Sequence, residues 1–450
     1  MTRLRKYLSN GGLFHSSAQS VVSMGVTMAL SLASGILTAR LLGPSGRGEL
    51  AAIITVSQTI GWIVSIGCFQ AVVHYSAKHR ESASDVVATW IAISVPAGLI
   101  GVLIGQALLG TLFRAQSDST LEMARYWLLL MPLNPLSEAL SGALVASRDF
   151  AATNMLRMMQ QALSVAFFIA LWLAGNLTVE TALIAQAVVI FTYIVVLLVR
   201  VHRRVRIGRP RRIHASSGIW YAVRAHSSNV TGQVNSRFDL MLMPAFLPAA
   251  QIGLYAVAVS ATSMIVSLAS SLCQIVQPVA AADGPGSDRQ VAKMFHATIL
   301  LGVLLAAPVA LLAPWLLTLV YSSAFEGATT ALRLLAPGAV LLAMTNVLVS
   351  GLFGKGRPAT GGFAQLPGSI LMIVLLIMFL GSGGIELAAA VSTLTYGISV
   401  IVAAAAYLHF SDSTVRELFD LRPTARELIA RLRKSSRAAV GPRPEAGGVR

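Results

Sequence analysis

The stretch SAQSVVSMGVTMALSLASGILTARLLGPSGRGELA (17–51) carries one long apolar run into the start of a second through a short turn. A bilayer core about 30 Å thick needs roughly 20 mostly apolar residues in a helix, and the first run has that length. Gly43 and Pro44 follow it, and both residue types favour turns over continuing helix. The stretch therefore predicts two membrane-spanning helices joined by a tight connection.

The rest of the chain repeats this pattern. Apolar residues make up 55% of the 450 residues and charged residues only 12%, whereas a soluble domain usually carries about 25% charged residues. The runs are continuous, without the alternation of a membrane barrel. We expect an all-α membrane protein with about twelve transmembrane helices, at approximately 16–39, 49–72, 87–112, 122–145, 156–175, 181–200, 218–243, 253–279, 292–320, 329–351, 363–381 and 385–407.

Basic residues predict the orientation of these spans. With a cytoplasmic N-terminus, 28 of the 34 lysines and arginines fall on the cytoplasmic side, as the positive-inside rule requires. We expect a multi-pass protein of the bacterial cytoplasmic (inner) membrane, and the basic residues predict that both termini lie in the cytoplasm. The net charge of +16 is then a topology signal, and it implies no nucleic-acid partner.

The chain also resembles itself at an offset of about 205–209 residues. LLGPSGRGELA (41–51) corresponds to FLPAAQIGLYA (246–256), and GALVASR (142–148) corresponds to GLFGKGR (351–357). An even number of spans per half makes the halves parallel repeats. The predicted organisation is a cytoplasmic N-terminus (1–15), a six-helix bundle (16–200), a basic linker (201–217), a second six-helix bundle (218–408) and a basic cytoplasmic tail (409–450). An amphipathic basic helix within 416–434 is expected to lie on membrane lipids.

Polar side chains recur every three or four residues in the first and seventh spans, so they share one helical face. Shifting span one by 208 superposes Ser20 on Ser228, Ser23 on Thr231 and Thr27 on Asn235. Small hydroxyl residues can serve close helix packing alone, but span seven is too polar to face lipid. The pattern favours a water-filled cavity between the halves.

Charged residues inside the spans are the remaining candidates for function. Asp239 belongs to the polar face of span seven, and with Glu138 it is a candidate for ion coupling. Glu138 would serve equally well as an internal partner of a basic or polar group, in a span that Pro132 and Pro135 are expected to kink. Arginines that could bind an anion in the cavity are, in order of preference, Arg224, Arg237, Arg40, Arg125 and Arg333. Arg40 and Arg333 would also fit an interfacial role.

Several motifs resemble a known family. ARLLGPSGRGELA (39–51), GCFQAVVHYSAKH (67–79) and NSRFDLMLMPAFLPAAQIGLYAVAVS (235–260) resemble polysaccharide or oligosaccharide flippases of the multidrug/oligosaccharidyl-lipid/polysaccharide exporter superfamily. The resemblance implies two six-helix bundles in a V around a central cavity lined by the first and seventh helices. It implies alternating access for an undecaprenyl-diphosphate-linked glycan. Other polysaccharide assembly proteins would be its partners, besides membrane lipids, and Asp239 matches an acid that the family often has.

Alternative functions have specific requirements. A multidrug or other small-molecule antiporter of the same superfamily would need an acidic, largely apolar cavity. A membrane glycan polymerase would need a large outer loop with catalytic side chains, and the outer loops here are short. The chain has no Gly-rich phosphate loop, metal-ligand spacing or nucleophile motif, so we expect no enzyme activity, cofactor or metal. Cys68 and Cys273 fall within apolar runs and are expected to be buried.

Overall fold

The computed structural model describes residues 12–78, 80–282 and 286–422. Within these ranges the regular structure is helical, with fifteen α-helices, three short 3-10 turns and no strand. The helices are α1 (Gly12–Val64), α2 (Cys68–Lys78), α3 (Ala83–Leu112), α4 (Asp118–Leu128), α5 (Leu133–Ala146), α6 (Phe150–Leu173), α7 (Val179–Val205), α8 (Arg212–Leu242), α9 (Ala249–Ala280), α10 (Ser287–Leu311), α11 (Ala313–Val320), α12 (Thr329–Gly354), α13 (Pro358–Phe363), α14 (Leu366–His409) and α15 (Val415–Phe419).

Helix α1 is a hairpin rather than one long rod. Its backbone leaves helical geometry at Gly43, with φ 68° and ψ −177°, a conformation that glycine adopts without steric cost. Arg47 Nη1 donates to Thr38 Oγ1 at 3.3 Å across a separation of nine residues. Nine residues of straight helix would hold these positions about 13 Å apart. The turn predicted at Gly43 and Pro44 is therefore confirmed, and α1 has two arms, 12–42 and 44–64.

Helix α14 folds back in the same way. Gly384 has φ 58° and ψ −155°. Gly368 lies so close to the second arm that a Cβ there would collide with Ser399 Oγ and the Thr395 carbonyl oxygen. A straight helix would separate positions some thirty residues apart by about 45 Å. The arms of α14 are thus 366–383 and 385–409.

The two hairpins explain how many times the chain crosses the membrane. Nine helical segments of the described chain are long and apolar enough to span a bilayer, and two of these contain the hairpins α1 and α14. Helix α8 is equally long but too polar to be among them. Counting each hairpin arm and adding α8 gives twelve crossings, which confirms the expected fold class. The kink expected in span four is confirmed by the break between α4 and α5, just before Pro132.

At one end of the bundle the two halves pack tightly. We call it the hairpin end, because Gly43 and Gly384 lie there, and the opposite end is the linker end. Gly48 and Gly253 cross so closely that a Cβ on either would collide with the backbone of the other helix. Arg114 Nε donates to the Ala245 carbonyl oxygen at 2.8 Å, and Gln116 Nε2 donates to the Leu247 carbonyl oxygen at 2.8 Å. These contacts close the hairpin end between the halves.

Helix α8 connects the halves at the linker end. Its first part packs on the N-terminal half, where His226 Nε2 lies 2.7 Å from the Trp62 carbonyl oxygen. The connection before it is shorter than the linker expected at 201–217, because α7 continues to Val205 and α8 begins at Arg212. This turn, 206–211, is held to the start of α3 by an ion pair between Arg211 Nε and Asp85 Oδ2 at 2.7 Å.

Candidate functional site

A cavity of about 650 Å³ lies between the two halves, and we call it the central cavity. The first arm of α1 supplies one wall with Ser23, Thr27 and Ser31, and α9 supplies serine hydroxyls at 260, 263 and 267. Thr27 Oγ1 donates to the Ser23 carbonyl oxygen at 2.8 Å, so its lone pairs remain available to a ligand. The hydroxyl stripe of the first span therefore lies on a cavity wall.

Three arginines from three different helices line the central cavity: Arg47, Arg157 and Arg237. Arg157 and Arg237 are exposed, and Arg47 is half-buried. No salt bridge joins any of them to another residue of the described chain. The Arg47 Nε atom is buried and has no hydrogen-bond partner among the described residues. The cavity therefore holds three positive charges. No acidic side chain of the described chain lies within salt-bridge distance of them.

Two further cavities have polar walls. A cavity of about 380 Å³ inside the N-terminal half shares Arg157 with it and is also lined by Glu138, Asn134 and Tyr193. A cavity of about 540 Å³ between the halves shares Glu138 with the second cavity. The polar residues of α8 that line this third cavity are His226, Gln233 and Ser236. Arg157 thus lines both the central and the second cavity, and Glu138 lines both the second and the third.

Asp239 lies in the packed core and lines none of the three cavities. Its side chain accepts hydrogen bonds from Tyr255 Oη at 2.5 Å, from Ser392 Oγ at 3.0 Å and from the Leu240 backbone N–H at 2.7 Å. Tyr255 belongs to α9 and Ser392 to the second arm of α14. The carboxylate therefore joins three helices of the C-terminal half.

Asn235 is also buried, one turn earlier on α8. Ser369 Oγ lies 3.4 Å from its Oδ1 atom, while its Nδ2 atom has no partner among the described residues. This part of the polar face of α8 consequently packs against α14 rather than lining a cavity. Sequence periodicity identified the polar face, but the packing of α14 decides which of its residues are covered.

The other candidates whose side chains the structure describes lie outside the three cavities. Arg224 and Arg125 are exposed and Thr231 is half-buried. Arg40 Nε donates to the Val320 carbonyl oxygen at 2.7 Å, and its Nη2 donates to the Leu319 carbonyl oxygen. Arg333 Nε donates to the Ala310 carbonyl oxygen at 3.2 Å. The side chains of Ser20 and Ser228, and the amphipathic helix expected after Pro423, are outside the described part of the chain.

Sequence reasoning missed Arg47 and Arg157 as cavity residues. Both were interpreted as topology signals, Arg47 on the outer side and Arg157 on the inner side. In the structure Arg157 lies two turns inside α6 and Arg47 lies on the second arm of α1, and both line the central cavity. A signal was present in each case. Residue 157 falls within the predicted span 156–175, and a hairpin at Gly43 directs the next helical turn back toward the first arm.

Comparisons with known proteins agree with this architecture. A family model described as "Polysaccharide biosynthesis protein" matches residues 37–330. No curated protein matches the chain in sequence. Among solved structures, the lipid II flippase MurJ in an inward closed conformation is similar, with TM-score 0.71 and 15% identity over 91% of this chain and 95% of that one.

Two other solved structures are similar. An inward-facing multidrug resistance MATE family transporter of the MOP superfamily has TM-score 0.67 and 14% identity, covering 90% of this chain and 99% of that one. A MOP superfamily transporter from Pyrococcus furiosus, described as having a binding pocket of reverse polarity, has TM-score 0.59 and 16% identity, covering 88% and 93%. At these identities the likeness shows the fold, which is the twelve-helix, V-shaped fold of that superfamily.

Proposed function

Since the chain belongs to the family of polysaccharide biosynthesis proteins, we propose that it is a flippase for an undecaprenyl-diphosphate-linked oligosaccharide. It would move this polysaccharide precursor across the bacterial cytoplasmic membrane by alternating access. The observation that carries the proposal is the meeting of Arg47, Arg157 and Arg237 on one hydroxyl-lined cavity between the halves.

The charge of the cavity suits a diphosphate. A headgroup with two phosphates cannot cross hydrocarbon unless its charges are compensated, because charge at the bilayer centre is costly. Arginine offers a planar fork of donors that can grip two phosphate oxygens at once. The three arginines come from both halves, so a diphosphate among them would contact both bundles.

The remaining walls suit a sugar chain. Hydroxyl groups of the first arm of α1 and of α9 line the cavity together, and their oxygen lone pairs can accept hydrogen bonds from sugar hydroxyls. Such groups replace the water that a glycan loses when it leaves the aqueous phase. The polyprenyl tail would stay in the lipid, since only the polar headgroup needs a polar path.

The closed hairpin end gives the proposal a direction. With the positively charged linker end in the cytoplasm, as the distribution of basic residues favours, the closed end faces outward. The cavity would then receive its substrate from the cytoplasmic side. Transport requires the Gly48–Gly253 crossing to open, while the cytoplasmic side closes.

A small-molecule antiporter of the same superfamily is the second candidate. Likeness in fold to MATE transporters supports it, as does Glu138, an acidic side chain on the walls of two cavities. A cationic drug in the central cavity would, however, meet three arginines, and like charges in a low-dielectric site repel strongly. An anionic substrate is the better match.

The test is reconstitution of the full chain into liposomes that hold a fluorescent undecaprenyl-diphosphate oligosaccharide. Headgroup exposure is scored on each leaflet with a membrane-impermeant quencher. We expect protein-dependent equilibration of the headgroup and none for a neutral polyprenyl glycoside. Equal rates for both lipids, or no transport of either together with proton-dependent efflux of a cationic dye, would refute the flippase function.

A further inference from the structure

A separate polar cavity of about 490 Å³ lies at the linker end of the N-terminal half, and we call it the peripheral cavity. It is formed where α2 and α5 end, where α3 begins and where α7 ends. It has no lining residue in common with the three cavities described above. Its volume is within the range of small-ligand sites, and the proposed transport does not use it.

Two arginines give the peripheral cavity its charge. Arg148 and Arg204 both line it and both are exposed. Neither side chain forms a salt bridge within the described chain, although Asp149, directly after Arg148, is paired with Arg200 at 2.9 Å. Two guanidinium groups on one cavity are a typical arrangement for a phosphate, whose oxygens can accept from each fork.

A buried hydroxyl on the wall of the cavity is a second feature that a ligand would explain. Ser76 is only 7% exposed, it lines the peripheral cavity, and its Oγ atom has no hydrogen-bond partner in the described structure. Leaving a buried hydroxyl unpaired is unfavourable. A ligand oxygen at this position would satisfy it.

The start of α3 adds donors on the same wall. Ala83 and Ser84 of its first turn line the cavity, and the N-cap residue Ser82 makes no side-chain capping hydrogen bond. The first N–H groups of a helix carry partial positive charge and favour anions. One acidic side chain, the exposed Glu81, also lines the cavity. With two arginines and one glutamate, the charge of the lining side chains remains positive.

We propose that the peripheral cavity binds a phosphate group, with Arg148 and Arg204 as its charged ligands and the Ser76 hydroxyl as its buried one. The cavity lies where α2, α5 and α7 end and α3 begins, and we place this level at the lipid headgroups because the membrane spans end there. The phosphate can therefore come from a phospholipid headgroup or from free phosphate. An ammonium group beside the phosphate, as in phosphatidylethanolamine, would lie near Glu81.

The site also adjoins the turn that joins the halves. Arg204 is the penultimate residue of α7, and residues 206–211 follow directly. The Gly208 N–H donates to the Ser84 carbonyl oxygen at 3.1 Å, so the turn docks on the same helix start that lines the cavity. A phosphate held by Arg148 and Arg204 would reinforce this docking.

The first experiment measures binding to the full-length protein in detergent by native mass spectrometry and thermal shift. The probes are short-chain phosphatidylglycerol, short-chain phosphatidylethanolamine, an uncharged diacylglycerol and inorganic phosphate. The variant Arg148→Ala/Arg204→Ala should bind the phospholipids roughly tenfold to a hundredfold more weakly, as expected for lost hydrogen bonds to a charged group. The control Arg203→Ala/Arg209→Ala removes the same charge from exposed positions at the same end and outside the cavity.

Each outcome decides the proposal. Unchanged binding in the cavity variant, or equal loss in both variants, would overturn the site, since equal loss indicates general electrostatic attraction. Binding of diacylglycerol as tightly as phospholipid would overturn it too. Loss of phospholipid affinity in the cavity variant alone supports the site. The comparison between phospholipids and inorganic phosphate then identifies the source of the phosphate.

The variant Ser76→Ala supplies a second test, which distinguishes a role of the hydroxyl in ligand binding from a purely structural role. Because the Ser76 hydroxyl has no described partner, its removal should leave the melting temperature of the ligand-free protein unchanged or higher. Phospholipid affinity should nevertheless fall several-fold. A lower melting temperature without ligand, together with normal affinity, would assign the hydroxyl to the fold and contradict its role in binding.

Discussion

Arg237 and Asp239 stand two residues apart on α8 and face opposite surroundings. Arg237 is exposed on the wall of the central cavity, whereas Asp239 is 2% exposed and hydrogen-bonded to Tyr255 and Ser392. Two residues advance a helix by about 200°, so neighbouring charges on one helix can have separate roles. Under the proposed function Arg237 would contact the substrate, whereas the hydrogen bonds of Asp239 hold helices of the C-terminal half together.

This assignment predicts that Asp239→Asn destabilises the protein. The amide places a donor among Ser392, Tyr255 and the Leu240 N–H, where the carboxylate accepted three hydrogen bonds. Loss of such bonds costs about 1–3 kcal/mol. Thermal unfolding in detergent should show a lower melting temperature, and Tyr255→Phe should show a similar but smaller fall. If Asp239→Asn melts as the wild type does and yet fails to transport, the residue couples ions instead.

The arginines of the central cavity should contribute separately to transport. We expect Arg47→Ala, Arg157→Ala and Arg237→Ala each to lower flipping of the diphosphate-linked glycan by roughly tenfold to a hundredfold. Lysine at these positions should restore only part of the rate, because it lacks the planar fork. Arg125→Ala and Arg333→Ala are matched controls, since both side chains are exposed and line none of the three cavities. Equal effects in controls and cavity variants would contradict the proposed substrate path.

The crossing of Gly48 and Gly253 should control the closed state. A Cβ on Gly253 would collide with the Pro44 carbonyl oxygen, so Gly253→Ala should push the halves apart at the hairpin end. A cysteine at position 263 should then react faster with a membrane-impermeant thiol reagent added from that side. Gly110→Ala is the control, because a Cβ there has nothing within 4 Å. Labelling as slow as in the control would mean that the crossing does not gate access.

Membrane orientation can be tested with reporter fusions. Fusions at residues 45, 117, 178, 248 and 382 should report the outside, and fusions at 80, 207 and 440 should report the cytoplasm. The reason is the concentration of basic residues at the linker end. An outside signal at 207 would reverse both the orientation and the loading direction proposed above.

The twelve crossings and the hairpin at Gly43 could be predicted because both depend on local properties. Apolar length sets a span, and a Gly-Pro pair sets a turn whatever packs around it. The residues that line the central cavity could be predicted from the sequence only in part. Ser23 and Thr27 lie on its wall, as their periodicity favoured. The predicted hairpin at Gly43 places Arg47 near the first arm, but it does not determine which way the Arg47 side chain faces. Which face of a helix is covered depends on the neighbouring helices, and sequence periodicity alone does not encode them.

The tight connections at the hairpin end also determine how accessible the protein is to large binders. Gly43 and Gly384 each reverse the chain within a single residue of non-helical backbone, and the connection between α3 and α4 comprises only residues 113–117. At these three connections, an antibody or phage therefore finds little protruding chain. Selection of binders against the purified protein should therefore target the linker end. With the hairpin end outward, as proposed above, the linker end would be out of reach of an antibody on intact cells.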